Sequence, residues 1–402
     1  MPSKATNRTE WADGGRPGPT VAFFSNQFAD SKGHGLARYA RELYGELRAL
    51  PETDVVPVAA WSSLSADALS AHQADTGLLM TGLGRNGTKL LWTFLNQPPI
   101  EHCIGRPVDV VHAVSLGYPV ATRKPLVVTI HDLGPLTHPD FFRNTRPWVM
   151  KRSLEQAVRH ADAIVCISKS TAEEVLTYVG THIEDRVQVV LEGVHPRFFE
   201  PASSQLPATL QNLPEDHPFI LSTGQISPRK NIQGLIAAFA RIKSEIPHHL
   251  VLVGGMGWDS YIVEAHLRDA DLRSRVHFPG FVTDDQLRTL YQMADIYVHP
   301  SLYEGFGLPV LEAMASGTPV VVSNRSSLPE VAGDAGRLSD TTDPEALGAD
   351  IVDICRSPSL RARMSEAGKA HAARFRWEDC AKEMADIYRS VARLGSRNAK
   401  GI

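Results

Sequence analysis

Two glutamates stand in a stretch whose residue types could bind a phosphorylated ligand. Glu304 and Glu312 have seven residues between them in SLYEGFGLPVLEAMASGT, residues 301–318. Gly305, Gly307 and the proline that follows favour a tight turn into a helix. The free N–H groups and positive dipole end of such a helix attract anions. The stretch therefore predicts a phosphate site at a helix start.

Carboxylates beside a phosphate are costly unless they accept hydrogen bonds, and sugar or ribose hydroxyls are suitable donors. We expect Glu304 on the turn and Glu312 about one helical turn inside, so that both carboxylates flank the phosphate. A simpler explanation stays open, in which one glutamate only complements the helix dipole and the other is solvated.

A basic pair and a histidine follow other predicted strands. Arg229 and Lys230 lie in GQISPRKN, residues 224–231, and His131 precedes an aspartate. An Arg-Lys pair after a proline is usually a solvated helix start, and a His-Asp dipeptide usually caps a turn. Their positions after strands, opposite Glu304, favour a role in a site.

Short apolar runs alternate with amphipathic stretches, which predicts parallel sheets covered by helices. The predicted strands of the first half are 21–25, 108–112, 126–130, 163–167 and 187–191, with helices at 36–50 and 148–160. Those of the second half are 219–223, 249–253, 276–278, 296–299 and 319–323, with helices at 231–243, 286–293 and 309–316.

The pattern predicts an α/β protein of two facing, doubly wound, Rossmann-like domains with a cleft between them. We expect a first domain at 1–195, a linker at 196–217 and a second domain at 218–376. A helix at 377–395 is expected to pack back on the first domain. Ligands of such sheets bind at the carboxyl ends of the strands.

Composition agrees with a two-domain protein and excludes several classes. The chain has 402 residues, 43% of them apolar, and a formal net charge of -4. That balance gives no indication of nucleic-acid binding. The four cysteines form no metal or disulfide pattern, and no signal peptide or membrane span is evident. We expect a cytoplasmic protein.

Some apparent signals carry less weight. Asp269 and Asp271 form a D-x-D pattern before a strand rather than after one, so no metal site is predicted. The sixteen histidines show no metal-ligand spacing. Residues 143–159 carry basic side chains near Trp148, which leaves peripheral contact with the inner membrane surface open beside a solvated helix face.

The glutamate stretch resembles the Glu-x7-Glu signature of retaining glycosyltransferase family 4, the group 1 glycosyl transferases of the glycosyltransferase-B fold. GQISPRKN, FPGFV at 278–282 and SLPEVAGDAG at 327–336 are similar to further family segments. DVVHA at 109–113 and the His-Asp pair are weaker matches in the first half. The polysaccharide mannosyltransferases are the most similar branch.

The resemblance implies that the domain at 1–195 is the acceptor side and that the domain at 218–376 binds the nucleotide sugar. It also implies roles for individual residues. Arg229 and Lys230 would hold the donor diphosphate and stabilise it as the leaving group. Glu304 would contact hydroxyls of the transferred sugar, and Glu312 the ribose. His131 would reach the donor sugar from the first domain.

The remaining donor-binding residues are also implied by the resemblance. They comprise a first glycine loop, the residue after the first strand of the second domain, the base-contacting loop and the turn after Glu304: Gly33, Gly35, Gly224, Phe281, Val282, Gly305, Phe306, Gly307 and Leu308. Gln225 stands where many family members have a basic residue, so the phosphate clamp is expected to depend more on Arg229. Family members retain configuration by front-face attack, and we predict no protein nucleophile.

The sequence thus predicts a metal-independent hexosyltransferase. Its donor is expected to be a nucleotide sugar, GDP-mannose first, and its acceptor a glycan or lipid-linked glycan; no cofactor is expected. A UDP-sugar donor, a sugar-nucleotide 2-epimerase and a non-catalytic glycan binder are the alternatives. The donor base, the acceptor and the linkage are not set by the sequence.

Overall fold

The protein is described by a computed structural model that covers residues 18–29, 35–142, 147–203, 210, 218–255 and 269–399. Its strands form two sheets, and every strand pair with a defined register is parallel. Most central strands are buried along their whole length, as expected for parallel sheets covered on both faces. The predicted α/β class with two doubly wound sheets is confirmed.

The first sheet has the strand order β3-β2-β1-β4-β5-β6-β7. Its strands are β1 Thr20–Phe24, β2 Asp54–Ala59, β3 Leu79–Met80, β4 Val110–Ala113, β5 Leu126–Ile130, β6 Ala163–Cys166 and β7 Val187–Val189. The second sheet has the order β10-β9-β8-β11-β12-β13. Its strands are β8 Phe219–Thr223, β9 His249–Val253, β10 Val276–Gly280, β11 Ile296–His299, β12 Val320–Ser323 and β13 Arg337–Ser339.

Helices alternate with these strands along the chain. The helices between β1 and β7 are α1 Gly35–Ala49, α2 Ala66–Thr76, α3 Gly84–Leu95, α4 Ile100–Ile104, α5 Gly134–Thr137, α6 Pro147–His160 and α7 Lys169–Val179. Those after β8 are α8 Ile232–Ile242, α9 Ala270–Ser274, α10 Asp284–Met293, α11 Leu308–Ala315, α12 Leu328–Ala332, α13 Pro344–Cys355, α14 Pro358–Ala372 and α15 Trp377–Ala399.

Contacts divide the chain into two compact units. The first comprises Met1–Val114, Val120–Val127 and Ala381–Ile402, and the second comprises Ser115–Pro119 and Val128–Cys380. Within the first unit, His112 of β4 lies 2.7 Å from the hydroxyl of Tyr388 on α15. The domain bounds expected from the sequence stay a prediction.

Each sheet supports its own core. In the first unit, Phe23 of β1 contacts Phe28, Tyr44 and His112, with ring centroids 5.0 to 6.3 Å apart. In the second unit, α8 carries apolar side chains at helical spacing, and Leu235 and Phe239 are fully buried in a cluster with Ile351 of α13. These cores fix the strands whose ends carry the candidate site.

The predicted elements agree with the structure where the apolar runs are long. Strands β5, β8, β9 and β11 have the bounds predicted for them. Strands β2, β3 and β13 were not predicted. Their sequences are DVVPVA, LM and RLS, so one contains a proline and the other two are too short to show a period.

Two histidines lie next to each other where β9 pairs with β10, and the burial of one of them, His277, links stability to pH. His249 Nδ1 and His277 Nε2 are 2.8 Å apart, and burial lowers the pKa of His277. Because the folded protein disfavours the protonated ring, the unfolded chain binds more protons in acid. The stability contributed by neutral His277 is therefore fully present above about pH 6.5, the pKa of a histidine in the unfolded chain. It is lost as the pH falls below that value.

We expect the free energy of unfolding, measured with urea, to fall as the pH is lowered from about 6.5 to about 5. The substitution His277→Phe should make this fall smaller. The control is Asp295→Asn. The hydrogen bond from His248, followed by the Arg361 charge, lowers the pKa of Asp295 despite its burial, so its contribution should be lost only below about pH 4. An unchanged acid slope in His277→Phe would show that His277 is not responsible.

Candidate active site

Arg229 and Lys230 lie on a short 3-10 turn, Pro228–Lys230, that follows β8. The turn ends at Asn231, whose backbone is left-handed with φ 50°. The Asn231 side chain is buried and donates a hydrogen bond to the Thr341 carbonyl at 2.7 Å. This anchor directs the basic pair toward the loop after β11, because β8 and β11 are parallel neighbours and end at the same edge of the sheet.

The two cations share the carboxylate of Glu304. Arg229 donates to Glu304 Oε2 and Lys230 to Glu304 Oε1, each at 2.5 Å. The side chains are 24%, 13% and 12% exposed for Arg229, Lys230 and Glu304. The structure thus brings together three residues that the sequence predicted for one site.

Electrostatics in this cluster keep Glu304 ionised and paired. Burial alone would raise the pKa of Glu304, but Arg229, Lys230 and His299 outweigh it and hold that pKa well below its usual range. Burial lowers the pKa of Lys230, and Glu304 opposes this change. With Glu304 ionised, two cations and one carboxylate leave one positive charge in the cluster. Asp132, whose charge also acts on Arg229, lies beside this group, so the ion pairing rather than a net positive charge is its main electrostatic feature.

Arg229 also ties the cluster to the neighbouring loop. Its guanidinium donates to the Tyr303 carbonyl at 2.9 Å, and its own carbonyl accepts from the Leu302 N–H at 2.8 Å. The guanidinium carbon lies 5.8 Å from the centre of the Phe142 ring. Arg229 is therefore held in place before any ligand binds.

The loops after β5, β6 and β11 meet at Gly305. A Cβ atom at Gly305 would lie 1.9 Å from the His131 carbonyl oxygen, so only glycine fits there. The Gly305 carbonyl accepts from the hydroxyls of Ser168 at 2.7 Å and Thr171 at 3.1 Å. His131 is thus placed on the loop next to Glu304, with its Nδ1 3.6 Å from Glu192.

Helix α11 begins one residue earlier than expected. Gly307 precedes it with φ 125°, a conformation that favours glycine, and Pro309 lies in the first turn. Ser327 donates to the carbonyls of Glu304 at 2.9 Å and Phe306 at 2.6 Å. Hydroxyl donors on the loop after β12 therefore fix the glycine turn.

The two signature glutamates have different partners. Glu312 is 2% exposed, and one of its carboxylate oxygens lies 3.3 Å from the Tyr291 hydroxyl. Glu304 instead faces the two cations. The expectation that both carboxylates flank one phosphate, with Glu312 near the ribose, stays a prediction.

The other predicted donor-binding residues are distributed around the second sheet and α1. Gly224 follows β8, Phe281 is 77% exposed after β10, and the Phe306 ring is buried 6.2 Å from that of Phe375. Val282 is partly buried beside Phe281, and Leu308 is the buried first residue of α11. Gly35 starts α1 in the first unit, and Gly33 lies outside the described residues.

Sequence reasoning missed several residues that contact the cluster. His299 Nε2 lies 3.2 Å from Glu304 Oε1, and the Tyr303 hydroxyl bridges Glu174 at 2.6 Å and the Leu133 N–H at 3.1 Å. Burial raises the pKa of Asp132, against the lowering effect of Arg229. His299 ends β11, so the rule that chemistry follows strand ends would have found it.

Asp269 and Asp271 have an ordinary structural explanation. Both carboxylates bind Lys243, at 2.7 and 2.6 Å, and Asp269 caps α9. Across the described part of the chain, no group of three or more His, Cys, Asp or Glu side chains is arranged to hold a metal ion.

The basic stretch at 143–159 falls partly outside the described residues, because the structure describes it only from Pro147 onward. Within the described ranges, none of the helices combines the length and apolar character needed to cross a bilayer.

Comparison with known proteins agrees with this geometry. Residues 33–198 match the family Glycosyltransferase Family 4, and residues 210–371 match Glycosyl transferases group 1. O-antigen chain mannosyltransferase B of Escherichia coli is 32% identical over 266 residues, which cover 65% of this chain and 70% of that protein. The chain belongs to the group 1, family 4 glycosyltransferases. The resemblance inferred from the motifs is thereby confirmed, and the protein is a transferase.

Other relatives share the same region. The serotype-specific mannosyltransferase WbdA of Escherichia coli is 33% identical over 266 residues. The aligned region covers 63% of this chain and 32% of WbdA. D-inositol 3-phosphate glycosyltransferase of Streptosporangium roseum is 30% identical over 277 residues, covering 66% of this chain and 63% of that enzyme.

Solved structures of glycosyltransferases share the fold of this glycosyltransferase. The structure of Anabaena HepE in complex with UDP and glucose matches with a TM-score of 0.72 at 20% sequence identity. The match covers 92% of this chain and 100% of the HepE chain. WaaG, a glycosyltransferase involved in lipopolysaccharide biosynthesis, has a TM-score of 0.67 at 20% identity, with 92% and 99% covered.

The shared carboxylate predicts the behaviour of Glu304→Gln. Removing the charge leaves Arg229 and Lys230 buried without their anion, so we expect a loss of about 3 kcal/mol in the free energy of unfolding at pH 7. Inorganic pyrophosphate should then raise the melting temperature of the variant more than that of the wild type, because it replaces the missing anion.

Glu330→Gln is the matched control. Its carboxylate accepts from the exposed Lys169 N–H at the start of α7, at 2.9 Å, so its loss should cost about 0.3–1 kcal/mol. Equal stability of Glu304→Gln and the wild type would contradict the cluster described above.

Proposed function

We propose that this glycosyltransferase moves a hexose from a nucleotide sugar, with GDP-mannose as the first candidate, onto a glycan or lipid-linked glycan in polysaccharide or lipopolysaccharide assembly. We further propose retention of the anomeric configuration and independence from metal and cofactor. The similarity to the O-antigen mannosyltransferase supports the sugar and the acceptor class.

The observation that carries the proposal is the contact of Glu304 with Arg229 and Lys230 at the carboxyl end of the second sheet. A donor with a diphosphate and a sugar needs both kinds of group. The cations supply charge-assisted hydrogen bonds to phosphate oxygens, and the carboxylate accepts hydrogen bonds from sugar hydroxyls. One small cluster therefore matches both halves of a nucleotide sugar.

The chemistry follows from the charges. When the sugar departs, negative charge grows on the diphosphate and the ring becomes cation-like. Arg229, Lys230 and the positive dipole end at the start of α11 would stabilise the leaving group without a metal. Since these groups are held by the fold beforehand, little reorganisation would be needed during the reaction.

Retention is proposed to occur without a protein nucleophile. In front-face attack, the acceptor hydroxyl approaches the anomeric carbon from the side of the departing phosphate, which accepts the hydroxyl proton. His131 would hydrogen bond the donor sugar from the loop beside Gly305. Glu304 would hold hydroxyls of the same sugar and fix its orientation.

Three alternatives differ in testable ways. A UDP-sugar donor would be favoured if UDP bound more tightly than GDP. The HepE structure with bound UDP does not decide this, because it shares only the fold with this chain. A 2-epimerase would release an altered sugar without an acceptor, and a glycan binder would retain full binding without Glu304.

The donor base is tested by nucleotide binding. We expect GDP to raise the melting temperature more than UDP or ADP at the same concentration, because a ligand of the folded state stabilises it. Lys230→Met should lose most of this shift. Equal shifts with all three nucleotides, or a larger shift with UDP, would contradict the proposed donor.

Transfer itself is tested with Lys230→Met. Loss of one cation at the leaving group should lower kcat/KM for GDP-mannose by about 100-fold or more. The readouts are GDP release in the presence of acceptor glycan and the anomeric configuration of the product by NMR.

Lys243→Met is the matched control, since Lys243 pairs with Asp269 and Asp271 near the surface and should leave turnover unchanged. Normal transfer by Lys230→Met, or an inverted product, would count against the mechanism.

A further inference from the structure

A buried chain of hydrogen bonds leads from the end of β8 to Glu304. The Thr223 hydroxyl lies 2.8 Å from the Tyr297 hydroxyl, which lies 2.8 Å from His299 Nδ1. His299 Nε2 lies 3.2 Å from Glu304 Oε1. Thr223 is 8% exposed, and Tyr297 and His299 are 0% and 1% exposed. We refer to Thr223, Tyr297, His299 and Glu304 as the buried relay.

The charge states of His299 and Glu304 set the direction of the hydrogen bond between them. Burial lowers the pKa of His299, aided by the charges of Lys230 and Arg229 and opposed by Glu304, so the ring is neutral at pH 7. The Glu304 carboxylate is ionised and can only accept. His299 must therefore carry its proton on Nε2 and donate to Glu304.

The rest of the buried relay follows from that proton. With Nε2 protonated, His299 Nδ1 is an acceptor, so the Tyr297 hydroxyl donates to it. The Tyr297 oxygen is then free to accept from the Thr223 hydroxyl. Ser301 Oγ, 3.3 Å from His299 Nε2, is a second acceptor for the same N–H. The tautomer of His299 that is protonated at Nε2 thus satisfies the contacts with Glu304, Ser301 and Tyr297. It also allows the contact between Tyr297 and Thr223.

His299 differs from the other partners of Glu304 in how it is held. Arg229 and Lys230 end a 3-10 turn and, in the proposed function, bind the donor diphosphate. His299 is the last residue of a central strand, and its ring contacts Tyr297 with centroids 5.8 Å apart. It can keep the carboxylate in place while the cations change partners.

We propose that His299 is a positioning residue for the transfer reaction. It would fix the orientation of the Glu304 carboxylate toward the hydroxyls of the transferred sugar, and Tyr297 and Thr223 would hold the His299 ring in place. This inference rests on the proposed function, because it assigns the support for the sugar-binding carboxylate of that same site.

The test compares His299→Gln with His299→Asn. The glutamine amide can replace the Nε2–H donor toward Glu304, whereas the asparagine amide reaches only the side of Tyr297. We expect His299→Asn to lower kcat by about 100-fold, because a small displacement of Glu304 misorients the sugar. Affinity for GDP should change much less than kcat, and His299→Gln should restore most of the turnover.

A second measurement requires no substrate. In protein with 15N-labelled histidine, the imidazole resonance that His299→Asn removes should report a neutral ring protonated at Nε2 at pH 7. Tyr297→Phe should keep that tautomer, because the ionised Glu304 still requires the Nε2–H, and should lower turnover in part, because the ring loses the hydroxyl that holds its Nδ1 side.

The outcomes separate the two proposals. An active wild type with an equally active His299→Asn variant, or a ring protonated only at Nδ1, overturns the role of His299 alone. Equal loss of turnover in both His299 variants, in proportion to their loss of stability, also overturns it. A wild type that transfers sugar from no nucleotide sugar overturns the proposed function, and the role of His299 with it.

Discussion

The candidate site depends on one interaction, the burial of the Glu304 carboxylate between Arg229 and Lys230. Removing three charged groups from water is costly, and the cost is offset only when each charge has a partner at hydrogen-bond distance. The fold meets this condition because β8 and β11 are parallel neighbours, so the loops that follow them begin side by side. Gly305 and Asn231 then bring the chain close enough for contact.

The sequence predicted the strands and the motif positions because both depend on local patterns. Runs such as FILST and LVVTI are apolar on both faces and end at a glycine or a polar residue, which marks a buried parallel strand. Strands β3 and β13 could not be predicted in this way. They have two and three residues, and their pairing with longer neighbours, rather than their own composition, makes them strands.

For the site, the sequence predicted which residues lie near one another, but not which groups their side chains contact. The binding of a diphosphate by Arg229 and Lys230 stays a prediction, and the structure places both side chains on Glu304. Spacing along the chain cannot distinguish these outcomes, because side-chain partners depend on distances across the sheet. His299 is predicted only as the end of a strand, because its contact with Glu304 depends on how the loop after β11 folds back on that strand.

The internal pairing has a consequence for ligand selection in the proposed function. A bare phosphate or nucleoside diphosphate must displace Glu304 from the cations, and the displaced carboxylate then needs new donors in a place that water reaches poorly. A nucleotide sugar provides both an anion for the cations and donors for the carboxylate. Its phosphates bind the cations, and its sugar hydroxyls donate hydrogen bonds to the carboxylate. Because His299 stays bound to Glu304 during this exchange, the carboxylate would be released without losing its orientation. The charge pairing that stabilises the site would therefore also favour the complete donor over its leaving group.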